Sequence, residues 1–441
     1  MTFETLKDEK KSKISSTSES FQTLKGTKDT AFLDAKVKEE MFSILKQEFM
    51  NNGFRPFQTP HIEYLDTLTH KYDEDAEIVQ EIFPVQDRGE RKLGLRYDLT
   101  IPLCRFLAQH IKSLKLPYRR FHIGSAFRDG PVKTGRLREF EQCDCDVVGL
   151  DGQDIEIELM ELFYRCYKKL GIDIEIELNS NKILKGALLQ SGFEEDELDT
   201  GVLIIDKYKK IGKDAVIGEL VEKGIKREIA QAGVDLLTQN SLEDLEKKAI
   251  NTVLKEGVKE LSQLVRGCQE LSIPHRVNVT MSRGHAYYTG NIWEVYDTQK
   301  RVKSSIGAGG RYNRGISNYI GQSDDIPAVG ISFGVVGMME ILLEMKRAEG
   351  EQESGGVSDM LVVPLDRSLV VKSLQIATQL RKHEEKNVEV FYGFKLKKAF
   401  DYAEYLGVKE LVIFGKKDEE SNQFTIKNLE SGEERVEKIE E

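Results

Sequence analysis

The stretch Phe127–Gly149, FRDGPVKTGRLREFEQCDCDVVG, decides the fold. With the preceding YRRFHIGSA at 118–126, it reads as two strands joined by the basic, glycine-bounded loop GPVKTG, which predicts an antiparallel hairpin. On the second strand a period of two puts Arg138, Phe140, Gln142, Asp144 and Asp146 on one face and Glu139, Glu141, Cys143, Cys145 and Val147 on the other. Neither face is the apolar stripe of a purely structural strand. A face bearing a guanidinium, an aromatic ring, an amide and two carboxylates suits a ligand floor. The ring stacks on a base, the arginine meets phosphate, and the acids take a cationic amine or an imidazole. Arg120, His122 and Arg128, in phase on the first strand, add positive charge suited to a polyphosphate. A solvated sheet surface laced with salt bridges is the plain alternative, and residue chemistry alone leaves both open.

Upstream, AKVKEEMFSILKQEFMNNG from Ala35 sets Val37, Met41, Phe42, Leu45 and Phe49 at helical spacing, and Gly53 stops the helix. A short strand, FRPFQTP, ends at Pro60; KLGLRYDLT reads as strand and turn, and IPLCRFLAQHI as helix. Downstream, amphipathic stretches between about Leu184 and Gln263 predict a helical insertion, because strand signals resume at HRVNVTMS, NIWEVYD and AVGISFGV. A polar, glycine-bearing linker is expected over 346–359. Beyond it, over 360–441, MLVVPL, SLQIATQLRKH, VEVFY, KLKKAFDYAEYLG and ELVIFG alternate as in a small α/β domain. The first 20 residues have the composition of a polar tail, which leaves 21–345 for the main domain.

At 441 residues the chain exceeds a single hydrophobic core, and 39% hydrophobic residues are enough to build two or three. A net charge of -11 argues against a whole-surface nucleic-acid binder while allowing a local basic channel. No run of about 18 apolar residues and no signal-peptide core are present, so a cytoplasmic protein without membrane association is expected. The five scattered cysteines suit reduced thiols. Cys143 and Cys145 lack the second pair or nearby histidine that zinc would need, so they read as small apolar fillers and no protein metal site is expected.

The hairpin resembles motif 2 of the class II aminoacyl-tRNA synthetases in its histidyl form, and further motifs follow in that family's order. KGTKD at 25–29 resembles the N-terminal signature, and the helix and strand ending at Pro60 resemble motif 1, which forms the dimer interface. LRYDLT is similar to a histidine-pocket segment, SRGHAYYTG at 282–290 to the histidine-specific arginine-glycine-x-x-tyrosine-tyrosine motif, and GAGGRYN at 307–313 to a glycine-rich strand turn. The last eighty or so residues resemble the anticodon-binding domain. The resemblance implies an α/β protein with an α+β catalytic domain, its antiparallel sheet flanked by helices. It implies that Arg128 holds the α-phosphate and the amino-acid carboxylate, that Phe140 stacks under adenine, and that Arg136 and Arg138 join the ATP site. Asp98, Thr100, Gln142 and Asp146 match the groups that hold the amino group and imidazole of histidine, and Tyr287 and Tyr288 match the pocket tyrosines. Arg283 matches the arginine facing Arg128 across the α-phosphate. L-histidine, ATP with Mg2+, tRNA(His) and a second copy of the chain are the implied partners, the basic loop at Lys133, Arg136 and Arg138 and the C-terminal lysines serving the tRNA.

Two positions depart from the pattern. His285 and Ala286 replace leucine and aspartate, which is expected to leave Arg283 less firmly oriented. Gly337, in AVGISFGVVGMMEIL, stands where the motif 3 arginine grips the γ-phosphate. Two functions follow: a histidine-tRNA ligase of reduced activity, with Lys303 or Arg311 as substitute cation, or an impaired relative that binds histidine or tRNA as a regulator.

Overall fold

The computed structural model describes residues 22–70, 77–132, 137–283, 288–321 and 325–440; the polar tail over 1–20 lies outside them. In chain order its strands are β1 (Arg55–Pro56), β2 (Ile62–Tyr64), β3 (Pro84–Gln86), β4 (Lys92–Leu95), β5 (Tyr118–Phe127), β6 (Glu139–Val148), β7 (Ile174–Ser180), β8 (His275–Val277), β9 (Asn291–Asp297), β10 (Gly307–Arg311) and β11 (Ala328–Phe333). After these come β12 (Met360–Pro364), β13 (Val388–Val390), β14 (Glu410–Phe414), β15 (Gln423–Asn428) and β16 (Glu434–Lys438).

The hairpin forms as its alternation requires. β5 and β6 pair antiparallel from Tyr118 opposite Val148 to Phe127 opposite Glu139. They lie inside an eight-stranded sheet of order β1-β5-β6-β11-β10-β9-β7-β8, antiparallel except for the edge strands β1 and β8, which run parallel to β5 and β7. The strand expected over FRPFQTP shrinks to the two residues of β1.

One face of this sheet is covered by helices Phe32–Asn51, Asp154–Lys169 and Val335–Ala348. The first buries Leu33, Val37, Met41, Leu45 and Phe49, a stripe that recurs every four residues as one side of a helix must. Phe49 meets Phe121 of β5 at 5.2 Å and Phe333 of β11 at 5.6 Å, and Phe163 closes on Phe333 at 4.6 Å, so rings from helix and sheet interlock. The second face of β6, mixed by sequence, faces this core from Cys143 onward: Cys143, Cys145 and Val147 are fully buried. Glu139 and Glu141 sit only at its outer end. The cysteines are apolar filling, and burial pushes both thiols well up.

Between β7 and β8 the chain leaves the sheet for a run of helices from Asn181–Gln190 to Thr252–Glu270. The segment after Ala348 is tied down: Leu33 N–H donates to the Glu353 carbonyl at 3.3 Å and Lys36 pairs with Glu351 at 2.7 Å. Strands β12–β16 form a five-stranded sheet of order β13-β12-β14-β15-β16, with helix Val370–His383 on one face and helix Leu396–Leu406 on the other. Its last two strands close as an antiparallel hairpin that the β/α alternation did not anticipate.

Candidate active site

On the face of the large sheet away from these helices, one cavity of about 80 Å³ gathers residues from six segments. β6 supplies Gln142, Asp144 and Asp146; the end of the 97–100 segment supplies Asp98 and Thr100; Arg128 follows β5; Arg283 and Tyr288 flank 284–287; and β10, Tyr312 and β11 close the floor. Seven residues expected at the site, Asp98, Thr100, Arg128, Gln142, Asp146, Arg283 and Tyr288, therefore line one hollow. Tyr287, Arg136 and Lys133 lie outside the described residues, as do His285 and Ala286.

The floor is flat because it is glycine. A Cβ on Gly330 would lie 2.2 Å from Asp146 Oδ1, and one on Gly309 would lie 2.2 Å from the Gly330 carbonyl oxygen, so neither strand tolerates a side chain there. Asp146 fills the space. It pairs with Arg120 at 2.7 Å from the strand beside it and accepts the Tyr312 hydroxyl hydrogen. Arg120 is fully buried and does not line the cavity, and burial pushes His122 down to about 3, so neither presents a free charge to a polyphosphate. That corrects the expectation from strand phase alone: Arg120 serves the floor, and His122 is neutral.

Asp98 accepts the Ile101 amide at 3.0 Å at the start of helix Thr100–His110, and burial pushes its carboxyl up to about 6 against the pull of Arg128. Arg128 donates Nε to the Tyr97 carbonyl at 3.2 Å and lays its guanidinium 5.0 Å from the centre of the Phe140 ring. Phe140 also walls a neighbouring hollow of about 320 Å³ with Val335, Val336, Met339 and Lys38. Arg138 is not at the cavity. It pairs with Asp129 at 3.2 Å and reaches the Gly130 carbonyl at 3.4 Å, so it braces the hairpin loop.

The family model for histidyl-tRNA synthetase matches residues 26–337. The chain belongs to that family. A second model, an anticodon-binding domain, matches residues 359–441. The chain is 35% identical to histidine-tRNA ligase 2 of Shouchella clausii over 94% of its own length and 97% of that protein. It is 33% identical to histidine-tRNA ligase 1 of Bacillus cereus over 94% of its length and 96% of the relative. Among solved structures, histidyl-tRNA synthetase from Nostoc superposes with a TM-score of 0.80 at 25% identity, covering 95% of this chain and 97% of that one.

Arg283 is held without an acid at 286: its Nη1 lies 2.5 Å from Glu294 of β9, whose other oxygen accepts the Tyr296 hydroxyl at 2.5 Å. Asp206 accepts the neighbouring Ser282 amide at 2.9 Å. The expected loosening is therefore overturned, because the counter-ion comes from the next strand. Gly337 sits in the first turn of helix Val335–Ala348, where an added Cβ would meet Ile306 at 3.1 Å and Val302 at 3.9 Å. Arg311 is no substitute cation for it. Its side chain is buried, pairing with Glu156 at 2.5 Å and donating to the Gly152 carbonyl at 2.5 Å. Lys303 lines a separate hollow with Glu177, Lys209 and Tyr296.

Tyr312, Ser332 and Glu294 went unassigned by sequence, and Asp144 was read on the ligand face without a role of its own. Asp144 carried a signal, its phase with Gln142 and Asp146. Tyr312 stands one residue past the glycine-rich stretch 307–310, which marked a turn but not a wall. Glu294 sits mid-strand, and nothing local ties it to an arginine eleven positions upstream.

Proposed function

We propose that the protein is a histidine-tRNA ligase that activates L-histidine with ATP and transfers it to tRNA(His). The observation that carries this reading is the single cavity joining Asp98, Thr100, Gln142, Asp146 and Tyr288 to two guanidiniums, Arg128 and Arg283. An amino acid needs a carboxylate for its ammonium, a cation for its carboxylate, and acceptors and an aromatic wall for an imidazole; the set supplies each. The histidine carboxylate attacks the α-phosphorus of ATP, pyrophosphate leaves, and the guanidiniums stabilise the added charge. The ribose hydroxyl of the terminal adenosine of tRNA then attacks the adenylate carbonyl and AMP departs. ATP enters as its magnesium complex.

Gly337 leaves the γ-phosphate to magnesium and other cations, so a weakened affinity for ATP beside an ordinary affinity for histidine follows. The regulator reading gains nothing from the relatives, which are named as ligases. No helix among the described residues is long and apolar enough to cross a membrane, which suits a cytoplasmic enzyme. A homodimer built on helix Phe32–Asn51 and the following strands is part of the proposal, and exposed Ile62 and Tyr64 on β2 suit burial against a twin. Histidine-dependent exchange of labelled pyrophosphate into ATP tests the ligase. Absence of exchange with histidine binding intact would replace it with the regulator.

A further inference from the structure

We propose that the cavity takes histidine with its ring as the doubly protonated imidazolium, and that Asp144 accepts the second ring N–H. The proposal rests on reading this cavity as the histidine pocket and goes on to name the charge state of the ring and the residue that sets it.

The side-chain atoms left over on β6 point to a ligand rich in donors. Gln142 Oε1 and Asp144 Oδ1 are buried with no hydrogen-bond partner among the described residues, and both side chains line the cavity. Both are acceptors. Asp146 Oδ2 lies 2.7 Å from Arg120, although no Arg120 N–H is aligned on it as a hydrogen bond. A neutral imidazole brings one N–H and one further acceptor, whereas an imidazolium brings two N–H groups and no acceptor. With the ammonium serving Gln142, only the second form brings a ring donor to each of the two carboxylates that line the cavity, Asp144 and Asp146, and an acceptor left dry in such a site is costly.

Charge accounting gives the same result. Asp98 faces the ammonium and Arg128 the carboxylate of the amino acid. On the floor, Arg120 is opposite Asp146 in the strand register and neutralises that carboxylate. Asp144 remains. Around it stand Arg120 and His122 from β5, Gln142 and Asp146 from β6, Ser332 from β11, and Asp98. His122 is neutral, Arg120 is shared with Asp146, and the buried Arg96 is shared with Asp98 and Glu63, so among the described residues no cation belongs to Asp144 alone. Burial first, and Asp146 after it, push its carboxyl up to about 7 while Arg120 pulls the other way. An acid in that state either gives its proton to an entering imidazole or receives an imidazolium already charged; both routes end in the same pair.

Two measurements test this. Histidine labelled at its ring nitrogens, bound to the unaltered protein, reports by NMR whether both nitrogens carry protons. Two protonated nitrogens are expected, and a neutral tautomer overturns the proposal. Calorimetric titration of Asp144→Asn with histidine and with triazolylalanine, whose ring has the same outline but stays neutral, separates charge from shape. Loss of one charge-assisted bond should weaken histidine by roughly tenfold and leave the analogue within about twofold. Equal weakening of both ligands, or none of histidine, overturns it. Failure of the unaltered protein to bind histidine at all would defeat the pocket reading itself, an outcome distinct from tight binding of a neutral ring.

Discussion

The floor of the cavity and the helix that walls the neighbouring hollow treat charge in opposite ways. On β5, β6 and β11, Arg120, Asp144 and Asp146 are buried within one register, and every neighbour is shaped for them, down to the glycine at 330. On helix Val335–Ala348, where the family has an arginine, the chain has Gly337, with Val335, Val336 and Met339 around it. The difference is in what loss leaves behind. Removing one member of a buried ion pair strands its partner, at a cost of about 3–5 kcal/mol. A cation that reached only toward a ligand strands nothing in the fold when it goes. The floor is therefore tied to folding, whereas position 337 is free to change.

The largest break in this comparison is expected at Arg128, which on the proposed reading serves both the amino acid and the nucleotide. Arg128→Ala removes a preorganised positive charge from the site of charge development, and pyrophosphate exchange should fall by roughly 100- to 1000-fold. A loss below tenfold would remove Arg128 from the reacting centre. Next comes Glu294→Gln, which keeps the shape but not the charge that holds Arg283. Its exchange rate should drop by about tenfold, the equivalent of one charge-assisted bond, with the KM for histidine little changed. If KM rose and kcat held, Glu294 would be supporting the pocket and not the arginine.

Gly337→Arg should do less. Its Cβ would start against Ile306 and Val302, away from the cavity, and Ile306 must yield a few tenths of an ångström. A gain in ATP affinity of about threefold or less is expected, well short of the tenfold or more that a well-placed phosphate contact provides. A larger gain would mean that the helix keeps the family geometry intact and lacks only the side chain.

The sequence carried the hairpin and most of the residues that line the cavity, because period-two alternation and the ordered motifs are local signals. Asp98, Gln142 and Asp146 were legible from the strand or from the segment that bears them. Arg120 was misread as a phosphate cation since phase gives a face but not depth; only the sheet on both sides shows it buried against Asp146. Glu294 as the holder of Arg283 and Glu156 as the holder of Arg311 are pairings between separate elements, which no local pattern encodes. Arg138, in phase with the floor, turns out of it because the hairpin loop recruits it to Asp129.

The smallest effect, and the one that tests the floor without any ligand, is thermal. The folded pKa of Asp144 lies near 7, above the ordinary carboxylate value of 3.8, so folding favours its protonated form. Below about pH 4 the group is protonated in both states and has no effect on stability. As pH rises toward 7 and beyond, the unfolded chain holds the carboxylate more comfortably than the fold does, and the fold is disfavoured. Asp144→Asn removes that burden. The melting temperature of the variant should exceed that of the unaltered protein at pH 8, by on the order of 2 °C or more for each kcal/mol relieved, with the gain shrinking toward zero near pH 4. A variant that is more stable yet binds histidine less tightly would mark a carboxylate kept for its ligand at the expense of the fold. A variant less stable at pH 8 would show instead that Arg120 already holds both carboxylates, and the contrast between floor and wall would then rest on Asp146 alone.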